Sequence, residues 1–442
     1  MYTCGVTVYD ECHIGHARSL YIFDLIRRYL KYRGFDVKFV RNITDIDDKI
    51  INRAKELKIG WQDLVNRYIE RYYEDLAVLG IERADYEPRA TENIADMIKY
   101  ITALIAKGYA YPAGSDVYFD VRKFPKYGQL SRQNIDQMRD CVRIEPAECK
   151  RDPLDFALWK GSKEDEPFWD SPWGRGRPGW HIECSVMSQK YLKTDTLDIH
   201  AGGRDLVFPH HENEIAQSEA LTGKHFAKYW IHHGLLTING QKMAKSAGNF
   251  VTIKYFMERY KKIEFLKLFF LSAHYSHPVD FTEEKIEEAK KAYDRFRILF
   301  QKLGKEPLGI VPESAKGKID QLKGQFEMAM DDDFNTPEAL SVLFNMVNEC
   351  NKMLSEERAK HRFALKYASK VIVDLGKILG LSFKDDQESM DDEWVNIAIA
   401  KRVRLKKEKK YKEADVIRKT LEQEGIILED TKDGRTIWRR KL

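Results

Sequence analysis

The chain has no apolar run approaching the ~20 residues of a membrane span, and its opening stretch lacks the cationic-then-apolar pattern of a secretory signal. Cysteine is scarce, with six in 442 residues, and the six are scattered rather than spaced as a disulfide framework. Proline (13) and glycine (26) are sparse, and no repeat or low-complexity tract occurs, which excludes collagenous, disordered and solenoid classes. A soluble protein of two to four domains is expected, in a reducing compartment, by default the cytoplasm, with no membrane partner.

Charge and chemistry are unevenly placed. The whole chain carries only +4, yet residues 401–442 hold 15 Lys and Arg against 8 Asp and Glu, a local +7. Eleven of the twelve histidines lie at or before His277, and five of the six cysteines lie at or before Cys184. Chemistry therefore belongs to the N-terminal half, and the C-terminal end reads as a binding appendage.

The β-branched and aromatic run at residues 2–9 predicts a buried strand, followed by a helix from His16 to Arg33 stopped by Gly34, and a second strand from Asp36 to Ile43. Strand, helix and strand within about 40 residues make a βαβ unit, so the expected fold is an α/β, doubly wound parallel sheet of Rossmann-like type. Ligands of such sheets bind beyond the C-terminal strand ends. Helices are expected over 45–80 and 91–107. Residues 109–180, with short strands and a Trp/Pro/Gly/Arg-dense end, read as an inserted subdomain. A strand, a glycine turn and a helix opened by Pro209 and closed by Gly223 come next. A third strand, 229–238, then leads through Asn239-Gly240. From about 251 to 424 the pattern is helix after helix, and the last eighteen residues suggest a basic β-hairpin. The expected domains are 1–250, a connecting helical region 251–315, a helical bundle 316–385 and a small mixed domain 386–442.

Two short motifs carry phosphate chemistry. His13-Ile14-Gly15-His16 stands between a strand and a helix start, where free amides and the positive dipole end favour a phosphate and Gly15 permits close backbone approach. Helix-capping histidines are the plainer alternative. Lys242-Met243-Ala244-Lys245-Ser246 places two lysines and a hydroxyl in a loop that can stabilise charge on a polyphosphate during transfer, with a solvated lysine pair as the plainer alternative.

In this order, around a Trp/Gly-rich insertion, the two motifs resemble the HIGH and KMSKS signatures of class I aminoacyl-tRNA synthetases. MYTCGVTVYDECHIGHAR, FVRNITDIDDKI, KRDPLDFALWK, GRPGWHIECS, FPHHENEIAQSEA and EDTKDGRTIWRR resemble the cysteinyl-tRNA synthetase family, over essentially the whole chain. The resemblance implies ATP with magnesium, L-cysteine and tRNA(Cys) as partners, and a chain acting as a monomer. It implies ATP binding by Thr7, His13, Gly15, His16 and Lys245, with His13, His16, Lys242 and Lys245 catalytic. It implies one zinc on Cys4, Cys184, His210 and Glu214, with His211 as a neighbour, although by spacing alone the remote thiols make a poor metal pattern. Cys4, Trp180 and His200 would line the substrate pocket. Ala244 departs from the usual signature but keeps both lysines, and Ala201 stands where the family usually has a further glycine before Gly202 and Gly203.

Zinc has a physical reason here. A packed pocket separates near-isosteres such as cysteine and serine only about a hundredfold, whereas zinc prefers thiolate and lowers a thiol pKa. The residue run from Thr44 to Asp48 is read as a helix cap by Thr44 or Asp45 with acids in the first turn, with magnesium ligation as the alternative. His232 and His233 are expected near the adenine site. Cys12, Cys141, Cys149 and Cys350 are read as ordinary thiols. At the basic end, Trp438, Arg439 and Arg440 combine cations with an aromatic platform suited to the unpaired bases of an anticodon loop, and the resemblance implies that 386–442 binds the anticodon. Three rivals remain at this level: a cysteine ligase with a small amine acceptor, a nucleotidyltransferase sharing the phosphate site, and a non-catalytic tRNA binder.

Overall fold

The structure is a computed structural model that describes residues 1–133, 150–243, 248–303, 313, 316–356, 358–383, 393–408, 410–430 and 436–440. The chain forms two compact units. The first comprises Met1–Ala289, Ala329–Glu338 and Ile378–Gly380, and the second the remainder.

The first unit opens with β1 (Tyr2–Thr3), α1 (Ile14–Tyr32) and β2 (Val40–Arg41). With β7 (Leu197–Gly203) and β8 (Ala227–His233) these strands form a sheet in the order β2-β1-β7-β8, parallel throughout. The expected parallel α/β sheet is therefore present, but its first two strands are far shorter than 2–9 and 36–43. At Gly5 the chain presses so closely on Asn42 that a Cβ would lie 1.5 Å from the Asn42 carbonyl oxygen. Regular pairing gives way there to single bridges such as Thr7 with Thr44.

Between β2 and β7 run α2 (Asp48–Leu57), α3 (Trp61–Val78) and α4 (Ile94–Ala106), then β3 (Ala110–Ala113), β4 (Asp116–Phe119), β5 (Phe156–Gly161) and β6 (Gly176–Pro178), then α5 (Trp180–Leu192). The helix expected over 45–80 is broken where Lys58 turns left-handed. β3 to β6 make an antiparallel sheet, the inserted subdomain. Helix α4 buries Ile94, Met97, Ile101 and Leu104, spaced to share one helical face, in a core with Val117, Phe119, Leu158 and Trp159 of that sheet and Ile182 and Met187 of α5. Each such side chain contributes about 1.5–3 kcal/mol. Helix α5 was not anticipated, because its buried set includes Glu183, Ser185 and Ser188, which blur the apolar period.

After β7 comes a wide turn, Val207–His211, and α6 (Glu212–Thr222), capped by left-handed Gly223. Pro209 follows a cis bond and lies ahead of α6 rather than opening it. The expected strand 229–238 is two strands, β8 and β9 (Leu236–Ile238), divided at Gly234, where a Cβ would lie 2.2 Å from the His277 carbonyl. β10 (Gln241–Lys242) pairs with β9, as does β11 (Val279–Phe281), a strand inside the stretch expected to be wholly helical. α7 (Ile253–Tyr260) and α8 (Glu264–Leu271) lie between them.

The second unit is built from most of α9 (Glu283–Leu303), α10 (Gly317–Asp331), α11 (Thr336–Ser355) and α12 (Arg358–Ile378), with α13 (Glu393–Lys407), α14 (Tyr411–Gln423) and the hairpin of β12 (Ile426–Asp430) and β13 (Thr436–Arg440). Val395, Ile399, Leu421, Ile426 and Leu428 form the small core under that hairpin. Asp430 accepts from Arg402 at 2.9 and 3.0 Å and from Lys406 at 2.6 Å, fixing the hairpin to α13. Among the described residues no helix is long and apolar enough to cross a membrane.

Candidate active site and metal centre

Cys4 follows β1 directly, and its N–H donates to the Ala201 carbonyl of β7 at 3.3 Å. Cys184 lies early in α5, His210 in the turn before α6, and Glu214 in the first turn of α6. Four remote stretches thus bring their ligand atoms within 4.8 Å of one another, all buried except half-buried Cys4. The Cys4 and Cys184 sulfurs are 3.8 Å apart, Cys4 Sγ is 3.5 Å from Glu214 Oε1, and His210 Nε2 is 3.0 Å from that oxygen. Around a tetrahedral zinc, bond lengths of about 2.0–2.3 Å require roughly 3.8 Å between sulfurs, 3.6 Å between sulfur and oxygen and 3.4 Å between nitrogen and oxygen.

His210 Nε2 is buried and has no hydrogen-bond partner despite its nearness to Glu214. Its Nδ1 lies 2.9 Å from His181 Nδ1, which fixes the ring and leaves Nε2 directed at the donor cluster. The residues present therefore fit a thiolate-preferring metal such as zinc. A second grouping shares Cys4 and Glu214 and adds His200 and His211. In it His200 Nε2 is only 2.7 Å from Glu214 Oε2, a hydrogen bond rather than ligand spacing. His200 thus stands fully buried behind the carboxylate, stacked on Trp230. His211 bridges Cys4 Sγ, 3.4 Å from its Nε2, and His232 Nε2, 2.8 Å from its Nδ1.

The cluster polarises itself. Burial opposes ionisation of Glu214, but His200 and His210 outweigh it and hold the carboxyl well below the usual range. Burial likewise opposes a charged His210, yet Glu214 and Cys184 lift its pKa to about 10. Burial raises the Cys184 thiol, whereas Cys4 and His210 bring it down to about 6. Burial keeps His181 and His211 neutral. Trp180, 38% exposed, lays its ring 4.1 Å from that of His210 and forms an open wall beside the donors.

Sequence reasoning passed over three neighbours. Tyr2 is fully buried in one cluster with Cys184, and its hydroxyl has no hydrogen-bond partner. Asn42 accepts from the Gly5 N–H at 2.8 Å and faces Cys184 Sγ at 3.7 Å. Glu183 accepts from Thr44 Oγ1 at 2.7 Å. Their only advance signal was proximity to Cys4, Thr44 and Cys184 in the chain.

At the start of α1, His13 is the N-cap, its Nδ1 accepting from the N–H groups of Gly15 (3.1 Å) and His16 (3.2 Å). The capping alternative thus holds for His13, and an acceptor Nδ1 leaves Nε2–H as the outward donor. His16 stacks on it at 3.7 Å, and burial lowers the two pKa values to about 4 and about 3. A Cβ at Gly15 would lie 2.9 Å from the His13 ring and 3.3 Å from Met243 Cε, so the second motif begins against the first. Lys242 is exposed on β10, whereas Lys245 lies outside the described residues. Thr7 sits between β1 and α1, bridged to Thr44.

The cap of α2 is Asp47, accepting from the Lys49 N–H at 2.8 Å, rather than Thr44 or Asp45. Asp45 instead accepts from the Thr91 N–H and hydroxyl at 2.9 and 2.6 Å. A Cβ at Gly202 would lie 2.8 Å from the His211 ring, so the glycine there admits the metal cluster's outer histidine. His232 is half-buried and His233 buried beside the Gly234 carbonyl. Cys12 and Cys350 are buried thiols, and Cys141 and Cys149 lie outside the described residues. Trp438 is half-buried against the hairpin core, and the side chains of Arg439 and Arg440 lie outside the described residues.

A parallel sheet followed by a phosphate-type helix start, with Met243 of the second motif against that start, is the architecture of a class I aminoacyl-tRNA synthetase. The solved methionyl-tRNA synthetase of Mycobacterium tuberculosis in complex with methionyl-adenylate shares the fold at a TM-score of 0.62 and 16% identity, covering 86% of this chain and 91% of that one. The profile described as tRNA synthetases class I (C) catalytic domain matches residues 1–291, and that of the DALR domain matches 325–384. The cysteine–tRNA ligases of Thermodesulfovibrio yellowstonii and Aquifex aeolicus are 49% and 47% identical, over all of this chain and 95% and 94% of those proteins. The chain belongs to the cysteine–tRNA ligase family of class I synthetases.

Proposed function

We propose that the chain ligates L-cysteine to tRNA(Cys) in two steps, through a cysteinyl-adenylate made from ATP with magnesium. The observation that carries this reading is the set of four donors gathered within 4.8 Å of one another, with sulfur–sulfur and sulfur–oxygen separations that suit zinc, in a chain whose α1 starts at a histidine cap and Gly15. Cys4, Cys184, His210 and Glu214 would hold zinc, which when bound supplies a soft Lewis acid that favours thiolate over hydroxyl.

The chain's own residues do the rest. Trp180 walls the amino-acid side, and His200 and His181 keep Glu214 and His210 oriented. ATP phosphates meet the N-terminus of α1, where Gly15 permits approach and His13 and His16 donate, with Thr7 beside them. The cysteine carboxylate attacks the α-phosphorus and pyrophosphate departs under Lys242 and Lys245. No strong general base is required, because the attacking carboxylate is already ionised. The adenylate then acylates the terminal ribose of the tRNA, which the basic end with Trp438, Arg439 and Arg440 helps to hold. The reading takes the chain as a cytoplasmic monomer whose domains follow the divisions at 250, 315 and 385.

The test is cysteine-dependent ATP–pyrophosphate exchange on protein assayed for bound metal, with serine as control, followed by acylation with and without tRNA. Stoichiometric zinc, exchange with cysteine alone and tRNA-dependent product are expected. Equal exchange with serine, or no bound metal, overturns the selection mechanism. Ligation to a small amine without tRNA would move the chain to a different acceptor class.

A further inference from the structure

Arg18 is fully buried on the second turn of α1, and among the described residues it forms no ion pair with a carboxylate. Its guanidinium instead donates to four backbone carbonyls: Nη1 to Gly234 (2.7 Å) and Leu235 (2.9 Å), and Nη2 to Tyr275 (3.2 Å) and His277 (2.6 Å). Burial lowers its pKa only to about 10, so the charge persists at neutral pH. A buried cation without a counter-charge is costly and is retained where carbonyl dipoles satisfy it in a fixed geometry.

The four carbonyls belong to two connections. One is Gly234-Leu235, the break between β8 and β9, and the other is 275–277, which leads into β11. These connections also bond to each other, the Gly234 N–H to the Tyr275 carbonyl at 2.8 Å and the Val279 N–H to the Leu235 carbonyl at 2.9 Å. Directly after Leu235 the chain forms the β9–β10 hairpin that carries Lys242. Beyond the lysine loop it returns to the start of α1: the Ile14 N–H donates to the Val251 carbonyl at 3.0 Å and the Ile253 N–H to the Cys12 carbonyl at 3.1 Å. Helix α1 therefore grips the segment bearing the second motif at both ends, by its first turn at 251–253 and by Arg18 at 234–235.

We propose that Arg18 is a positioning residue for adenylate formation, which sets the lysine hairpin relative to His13, Gly15 and His16 through its four carbonyl bonds. This rests on the function proposed above. Arg18 follows the first motif on α1, and its hydrogen bonds go to neither the metal donors nor Lys242. Its loss displaces the hairpin without altering the amino-acid site. Lysine cannot replace it, because a single ammonium has three donors from one point and cannot span two pairs of carbonyls on separate connections.

The experiment compares the full-length wild type with R18K, R18M and R18G, each normalised by active-site titration of bound adenylate. The readouts are zinc content, the KM for cysteine and the kcat of pyrophosphate exchange. R18K and R18M are expected to keep zinc and the cysteine KM within about threefold while kcat per titrated site falls about a hundredfold, the scale of misplacing a group by about 1 Å. Low-millimolar guanidinium is expected to restore part of the kcat of R18G, where equal urea does not. A merely structural residue would lower the titrated fraction and leave kcat per site unchanged, and that result overturns the proposal, as does wild-type kcat in R18K. If R18M and R18G fail to fold, R18K decides the matter alone. Absence of cysteine-dependent exchange in the wild type would refute the proposed function instead, so the two failures are distinct.

Discussion

Gly5 joins the backbone of β1 to the metal donors, and Gly5→Ala tests that link most directly. An added methyl would lie 1.5 Å from the Asn42 carbonyl oxygen and 2.6 Å from its carbon, where real Cβ contacts stay beyond 3.0 Å. The two backbones must therefore part by at least about 1.5 Å. Cys4 is bonded to Gly5, and Asn42 faces Cys184 at 3.7 Å and holds the Gly5 N–H at 2.8 Å. The opening thus falls between the two thiol ligands. Metal–donor bond lengths in a well-formed site agree with their ideal values to within about 0.2 Å, and a displacement of this size is several times larger. Overpacking of this kind costs about 1–3 kcal/mol of stability, which leaves the unit folded. The expected variant melts a few degrees lower and binds zinc at least about a hundredfold more weakly in a chelator titration. Its pyrophosphate exchange loses preference for cysteine over serine. A folded Gly5→Ala protein that keeps wild-type zinc affinity refutes the argument that this crossing sets the donor spacing.

Three further outcomes are expected. His200→Asn removes the 2.7 Å bond that holds Glu214 Oε2, so zinc affinity should fall about 10–100-fold in the same titration, and an unchanged affinity would return His200 to a packing role. Asp75 is raised to about 7 by burial, with Glu11 and Glu74 adding to it. The folded state then holds a proton that the unfolded state releases above about 3.8, so stability falls as pH rises through that window. Asp75→Asn should therefore raise Tm at pH 8 and leave it unchanged at pH 3.5, and melts showing no pH-dependent gap would contradict the shift. Gly324, inside α10, has nothing within 4 Å of an added Cβ, so Gly324→Ala should gain about 0.5–1 kcal/mol in urea melts with exchange activity unchanged.

Much of the fold was legible because hydrophobic period and punctuation agreed. Gly34 and Gly223 do end α1 and α6, and the C-terminal hairpin stands where the basic end suggested. The errors in strand length share one cause, close backbone approach. Two strands predicted at eight residues shrink to two where Gly5 meets Asn42, and the strand through 229–238 divides where Gly234 meets His277. Both glycines lie inside β-rich runs, and composition cannot distinguish a glycine that weakens a strand from one that lets another backbone pass. Helix α5 was hidden for the opposite reason: its buried face carries Glu183 and Ser185 to serve the site, so the sequence there lacks an apolar stripe.

The site divides along the same line. The phosphate motif was readable because its parts are consecutive, a capping histidine, a bare glycine and a helix start acting on one another. The metal centre was not readable from spacing, since Cys4 and Cys184 are joined only by the pairing of β1 with β7 and the packing of α5 beneath Tyr2. What a linear reading could not supply at all is orientation. His200, His210 and His211 are the same residue type within twelve positions, yet their Nε2 atoms differ: that of His210 is buried with no hydrogen-bond partner beside Cys184 and Glu214, whereas that of His200 is bonded to Glu214. His200 is committed to Glu214, and His211 to the pair of Cys4 and His232. Which imidazole is left to bind is decided by which hydrogen bonds the others have already made, and that is a property of three-dimensional partners rather than of residue order.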